Sequence, residues 1–81
     1  MDAVVFTEGK GVWRVVASPS MRGLGDLVET SNRSVTIEPD AGSDLEGIAL
    51  GPYASLDHAL SAIGAHLGGQ CQRAPPHRRW R

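Results

Sequence analysis

Hydrophobic and polar positions alternate along the first half of the chain and change to helical spacing once, in the stretch Gly47 to Leu67, GIALGPYASLDHALSAIGAHL. There Leu56, Leu60, Ile63 and Leu67 recur at intervals of four, three and four, which is one face of a helix. Ser55 is placed to cap that helix, because its hydroxyl can accept from the free amides of the first turn. Asp57 follows where a negative charge meets the positive end of the helix dipole, and Gly68-Gly69 supplies the stop. Gly64 inside the helix costs about 1 kcal/mol relative to alanine, which predicts a tight crossing over a sheet. Ahead of the helix, Ile48 and Leu50 would point the same way on a short buried strand that Gly51-Pro52 ends, since proline has no N–H for a ladder.

The alternation upstream predicts four more strands. Ala3 to Thr7 places Val4 and Phe6 on one face. After the turn Glu8-Gly9-Lys10-Gly11, the run Val12 to Ala17 carries Trp13 and Val15 on one face and Val12, Arg14 and Val16 on the other. Ser18 to Gly25 is a loop by composition. Asp26 to Thr30 and Ser34 to Glu38 form a second hairpin around Ser31-Asn32-Arg33, and Pro39 to Glu46 is a polar acidic loop.

The expected fold is α+β: a small antiparallel sheet in the order β-β-β-β-β-α, with one C-terminal helix packed on one face. Trp13, Val15, Val35, Ile37, Ile48 and Leu50 would meet Leu56, Leu60, Ile63 and Leu67. The other face would show Val5, Val12 and Val16 beside Arg14, Thr36 and Glu38, with nothing in the chain to cover it. A half-apolar, uncovered sheet face points to a partner, most simply a second copy of the same chain.

Length and charge sharpen this picture. Eighty-one residues make one domain with a modest core. Residues 1–69 are expected to form it, and 70–81 a disordered basic tail whose prolines and arginines cannot build a core. The net charge of −1 hides an asymmetry: from residue 73 onward four arginines stand without an acid, leaving the body at −5. Only the tail is basic enough to approach phosphate. The single cysteine, Cys71, excludes an internal disulfide. No apolar run approaches the ~20 residues of a membrane span, and MDAVVFTEGKG lacks the form of an export signal, so a cytoplasmic protein without membrane contact is expected.

Little of the sequence offers chemistry. His58 and His66 stand about two turns apart on different helix faces and cannot share a metal, and His77 lies in the tail. Asp40, Asp44 and Glu46 around Gly42 fall short of a calcium loop, which needs more oxygen ligands and a closing glutamate. Arg22-Gly23-Leu24-Gly25 lacks the spacing of a phosphate-cradling loop. No serine, cysteine or lysine has an identifiable base and orienting partner. No cofactor, metal or enzymatic activity is therefore expected.

Two short stretches resemble known families. IALGPYASLDHALSAI, residues 48–63, resembles the closing strand and helix of the SPOR peptidoglycan-binding repeat, where a glycine–proline–aromatic turn precedes a helix with a buried alanine. That resemblance implies an earlier strand–helix unit, and residues 18–46 show no such helix. LEGIALGPYASLDHALSAI, residues 45–63, is similar to the last strand and helix of the single-stranded-DNA-binding transcriptional coactivators. This implies a dimeric curved sheet followed by a helix. That family's DNA face is rich in lysine and arginine, whereas this body is acidic.

The expected function is a non-enzymatic binding or regulatory module, homodimeric or bound to another protein through Val12, Arg14 and Val16. The alternative is a single-stranded nucleic-acid-binding module. It would use Arg14 and Arg33 with Arg78, Arg79 and Arg81, while Trp80 stacks on bases.

Overall fold

The fold is known from a computed structural model that describes residues 1–18, 20–30 and 32–74. Its elements are β1 (Asp2–Gly9), β2 (Val12–Ser18), β3 (Gly23–Glu29), β4 (Val35–Pro39), α1 (Leu56–Leu67) and β5 (Cys71–Arg73). The sheet order is β4-β3-β2-β1-β5. The first three pairings are antiparallel and β5 runs parallel to β1. The chain thus leaves the sheet at one edge, crosses one face as α1, and returns at the other edge. The fold is α+β, with a mixed sheet in the order β-β-β-β-α-β where the sequence suggests an antiparallel β-β-β-β-β-α.

Both hairpins form where the glycine and polar turn residues lie. Gly11 takes a positive φ of 73° in the first turn, which a glycine adopts without steric cost. The register sets Val5 opposite Val15, and Trp13 opposite Leu27, which in turn faces Ile37. Strand alternation then sends Ala3, Val5, Val15, Ala17, Leu27, Val35 and Ile37 into the core. This corrects the expectation for β1: Val5 is buried, while Val4 and Phe6 lie on the opposite face. Ala3 to Phe6 is apolar at every position, so alternation alone could not set its phase; the pairing with β2 does.

Three further differences have local causes. Gly23 to Gly25 belongs to β3 rather than to a loop, with a bulge there: Gly23 faces Val16 and Gly25 faces Val15, leaving Leu24 as the extra residue. Leu24 is fully buried in the core. The acidic loop after β4 contributes Leu45, also fully buried, pinned because the Ser43 hydroxyl donates to the Leu24 carbonyl at 2.9 Å and accepts from the Leu45 amide. Residues 48–50 are not a strand. They run beside the outer edge of β4, where the Ile37 amide donates to the Leu50 carbonyl at 2.9 Å and Val35 exchanges two bonds with Tyr53. That blunts an otherwise open edge, and it leaves Ile48 buried but Leu50 55% exposed.

Helix α1 matches the pattern of its apolar face. The Ser55 hydroxyl accepts from the His58 amide, and Gly68 at φ 73° closes the other end with its N–H directed at the Ala65 and Gly64 carbonyls. Ala59, Leu60, Ile63 and Gly64 are the buried positions. A Cβ on Gly64 would lie 3.0 Å from the Gly69 carbonyl oxygen and 3.2 Å from the Cys71 amide nitrogen. The glycine therefore admits the chain returning into β5. That return corrects the expectation of a disordered segment from residue 70: Cys71 to Arg73 are sheet. The Ala3 amide bonds the Gln70 carbonyl and the Ala74 amide bonds the Val5 carbonyl, while Asp2 accepts from the Gln70 amide. The rest of the tail, 75–81, lies outside the described residues.

Candidate binding face

With α1 on one side, the other side of the sheet is uncovered among the described residues. The ladder arranges its side chains in three rows. One row runs Gln72, Val4, Val16 and the backbone of Gly23. The middle row runs Phe6, Arg14, Asp26 and Glu38. The third runs Val12, Val28 and Thr36. A charged row is thus flanked by two rows of valines. Val16 is nearly buried by its neighbours, Val4, Val12 and Val28 are half-buried, and Phe6 is 38% exposed.

Arg14 is the centre of this face. Its guanidinium crosses Gly23, where a Cβ would collide with it, and reaches the start of the loop after β4. There it forks onto Asp40, with Nη2–Oδ2 at 2.8 Å and Nη1–Oδ1 at 3.5 Å. Nη1 also donates to Asp26 Oδ1 at 3.2 Å and to the Gly25 carbonyl at 3.3 Å. Hydrogen bonds from Asp40 and then Asp26 hold the guanidinium pKa above its ordinary value. The arginine is therefore shared between two carboxylates, and Glu38 adds a third negative charge to the same face.

Of the residues singled out by the sequence, Val12, Arg14 and Val16 come together here. Arg33 does not join them. It is exposed at φ 68° in the β3–β4 turn, at the end of the sheet where the Glu29 amide bonds the Gly11 carbonyl. Arg78, Arg79, Trp80 and Arg81 lie outside the described residues. Sequence reasoning missed Val4, Phe6 and Val28 as face residues, and Asp26 and Asp40 as partners of Arg14. The signal for Asp26 and Val28 was present: their alternation matches that of Thr36 and Glu38 across the second hairpin.

The remaining candidates find structural employment. His58 Nδ1 lies 2.7 Å from the Ser55 hydroxyl, so this histidine completes the helix cap. Gly23 and Gly25 serve packing rather than an anion cradle, since a Cβ on Gly25 would meet the β4 backbone at 2.6 Å. Cys71 is half-buried beneath α1, and burial pushes its thiol up to about 11, away from the thiolate a nucleophile needs. It lines an open groove of about 390 Å³ between α1 and β5, whose polar groups are Ser61, Gln70 and Gln72 without a charged side chain. Among the described residues no cluster of three histidines, cysteines or carboxylates is placed to hold a metal ion, and no helix is long and apolar enough to cross a membrane.

Comparison with protein-family models, with curated proteins and with solved structures finds no match to this chain.

Proposed function

We propose that this chain is a small non-enzymatic binding or regulatory module that acts by protein–protein contact, pairing with a second copy of itself through the uncovered sheet face. The observation that supports this reading is the clustering of Val4, Phe6, Val12, Val16 and Val28 around one already neutralised arginine. Sheets pack face to face by burying such rows, with their strands within about 30° of each other. At about 4.8 Å between strands and 3.3 Å per residue, the face measures roughly 20 by 20 Å. Two copies would bury about 800–1,000 Å², below the roughly 1,200–2,000 Å² of stable specific interfaces, so the association is a weak and transient one. The half-buried single thiol suits a reducing compartment such as the cytoplasm.

Electrostatics disfavours a nucleic acid on this face. Among the described residues the only cation on the face is held by Asp26 and Asp40, and Glu38 stands beside them. A phosphate backbone would meet net negative charge there. Light scattering across a concentration series tests the reading: the full chain should approach dimer mass as concentration rises. Val12→Glu should abolish the rise, and Arg33→Glu, at the turn, should not. A chain that stays monomeric at high concentration refutes the dimer. Salt-sensitive binding of single-stranded DNA would put the alternative module in its place.

A further inference from the structure

The charges of the open face are unevenly placed along its middle row. Phe6 stands at one end, Arg14 and Asp26 follow, and Glu38 closes the other end on β4. Arg14 is shared by Asp26 at 3.2 Å and Asp40 at 2.8 Å, whereas Glu38 makes no ion pair among the described residues. Three carboxylates against one guanidinium leave the cluster at −2. No other lysine or arginine of the described chain belongs to these rows. Lys10 and Arg33 are in hairpin turns, Arg22 precedes β3, and Arg73 is 4.0 Å from Asp57 on the helix.

A second copy laid face to face on this surface meets the same charges. Packed sheets lie about 10 Å apart. At that separation two clusters of −2 repel each other in water by enough to weaken pairing roughly tenfold. Glu38 adds a second cost. Asp26 and Asp40 are covered together with the guanidinium they share, but Glu38 would lose its water with no partner among the described residues. The two costs differ in one respect: salt screens the repulsion and leaves the dehydration in place.

We propose that Glu38 is the gate of the pairing face: its unpaired charge holds self-association weak at low ionic strength and makes it rise as salt is added. The inference rests on the reading of this face as the pairing surface. The valine rows supply the attraction, and Glu38 sets how much of it is expressed. Removing that one charge takes each cluster from −2 to −1. The repulsion follows the product of the charges, so it falls to about a quarter.

Sedimentation equilibrium of the full chain in about 0.01 M and about 1 M sodium chloride tests the gate, because electrostatic reach falls between them from about 30 Å to about 3 Å. The wild-type dimer should tighten roughly tenfold. Glu38→Gln should pair more tightly than wild type in both salts, and its own response should shrink to about twofold. Glu29→Gln is the control for net charge: Glu29 pairs with Val35 and alternates to the helix side of the sheet, so this variant should behave as wild type. Val12→Glu added to Glu38→Gln should abolish the dimer. Dimers whose affinity and salt response ignore Glu38→Gln, or answer equally to Glu29→Gln, overturn the gate and keep the pairing. Chains that stay monomeric in both salts, with Glu38→Gln as without it, refute the pairing and the gate with it. Dimers that survive Val12→Glu use another surface and likewise refute both.

Discussion

Leu45→Ala strips a fully buried isobutyl group to a methyl in a loop that is otherwise polar. The size of the effect follows from what the neighbourhood can do about the cavity. The loop is held by the Ser43 hydroxyl on the Leu24 carbonyl at 2.9 Å, the Leu45 amide on Ser43 at 3.2 Å, and the Ile48 amide on the Leu45 carbonyl at 3.1 Å. Those bonds keep the loop from collapsing inward. The loss should therefore fall within the range for buried Leu→Ala, about 3 kcal/mol. A chain of this size has a total stability of about 4–12 kcal/mol, so one side chain in a loop carries a quarter of it or more. The corresponding fall in Tm is about 12–24 °C. Leu50→Ala is the control: its side chain is 55% exposed, and its cost should stay within about 0.5 kcal/mol. Urea titration followed by tryptophan fluorescence and far-UV circular dichroism measures both, with equal m-values required for the comparison. Should Leu45→Ala fail to fold, Leu45→Val ranks against Leu50→Val in the same assay. A Leu50 substitution that costs as much as its Leu45 counterpart would refute the placement of the core.

Three other outcomes are expected. Gly25→Ala puts a Cβ 2.6 Å from the Glu38 carbonyl oxygen and 2.8 Å from Pro39 Cα, both backbone; forcing β3 and β4 apart should lower the urea midpoint by the equivalent of about 1–3 kcal/mol, where glycine-to-alanine at a roomy site would raise it. Asp40→Asn should cost only about 0.5 kcal/mol and less in high salt, because the pair with Arg14 is about a third exposed. Cys71 should resist iodoacetamide at pH 8 in the folded chain and react readily in urea. Its thiol is pushed up to about 11 from 9.0, so below pH 9 it is protonated in both states. Between pH 9 and 11 the unfolded chain ionises first, and stability falls as pH rises; Cys71→Ala should flatten that fall in the urea midpoint.

What the sequence revealed of the fold follows from where its physics is local. Both hairpins, the helix, its Ser55 cap and its Gly68 stop depend on residues within a few positions of one another, and those features were legible. Features set by distant pairing were not. Val4 and Val5 are chemically the same, and only the register against β2 decides which is buried. Leu45 reads as one leucine in an acidic loop until Ser43 and Leu24 are brought together. Cys71 to Arg73 is too short and too polar to signal a strand. It becomes one because Gly64 lets the returning chain approach α1 and because Asp2 and Ala3 bind the Gln70 peptide.

The face itself was half legible, and the part that was missed changes its meaning. Alternation placed Val12, Arg14 and Val16 together, and an arginine between valines on an open sheet reads equally well as a phosphate contact or a protein contact. The distinction lies in Asp26 and Asp40, one across the ladder and one beyond the next strand, and neither is near Arg14 in the sequence. Their carboxylates convert Arg14 from a free cation into a paired one, and covering that cluster with apolar surface would carry a desolvation cost of its own. With Glu38 they also make the face net negative. Such a face offers phosphate no free cation among the described residues. The valine rows, not the charged row, are therefore what the proposed pairing would bury, and the acids bear on it by setting two like-charged faces against each other.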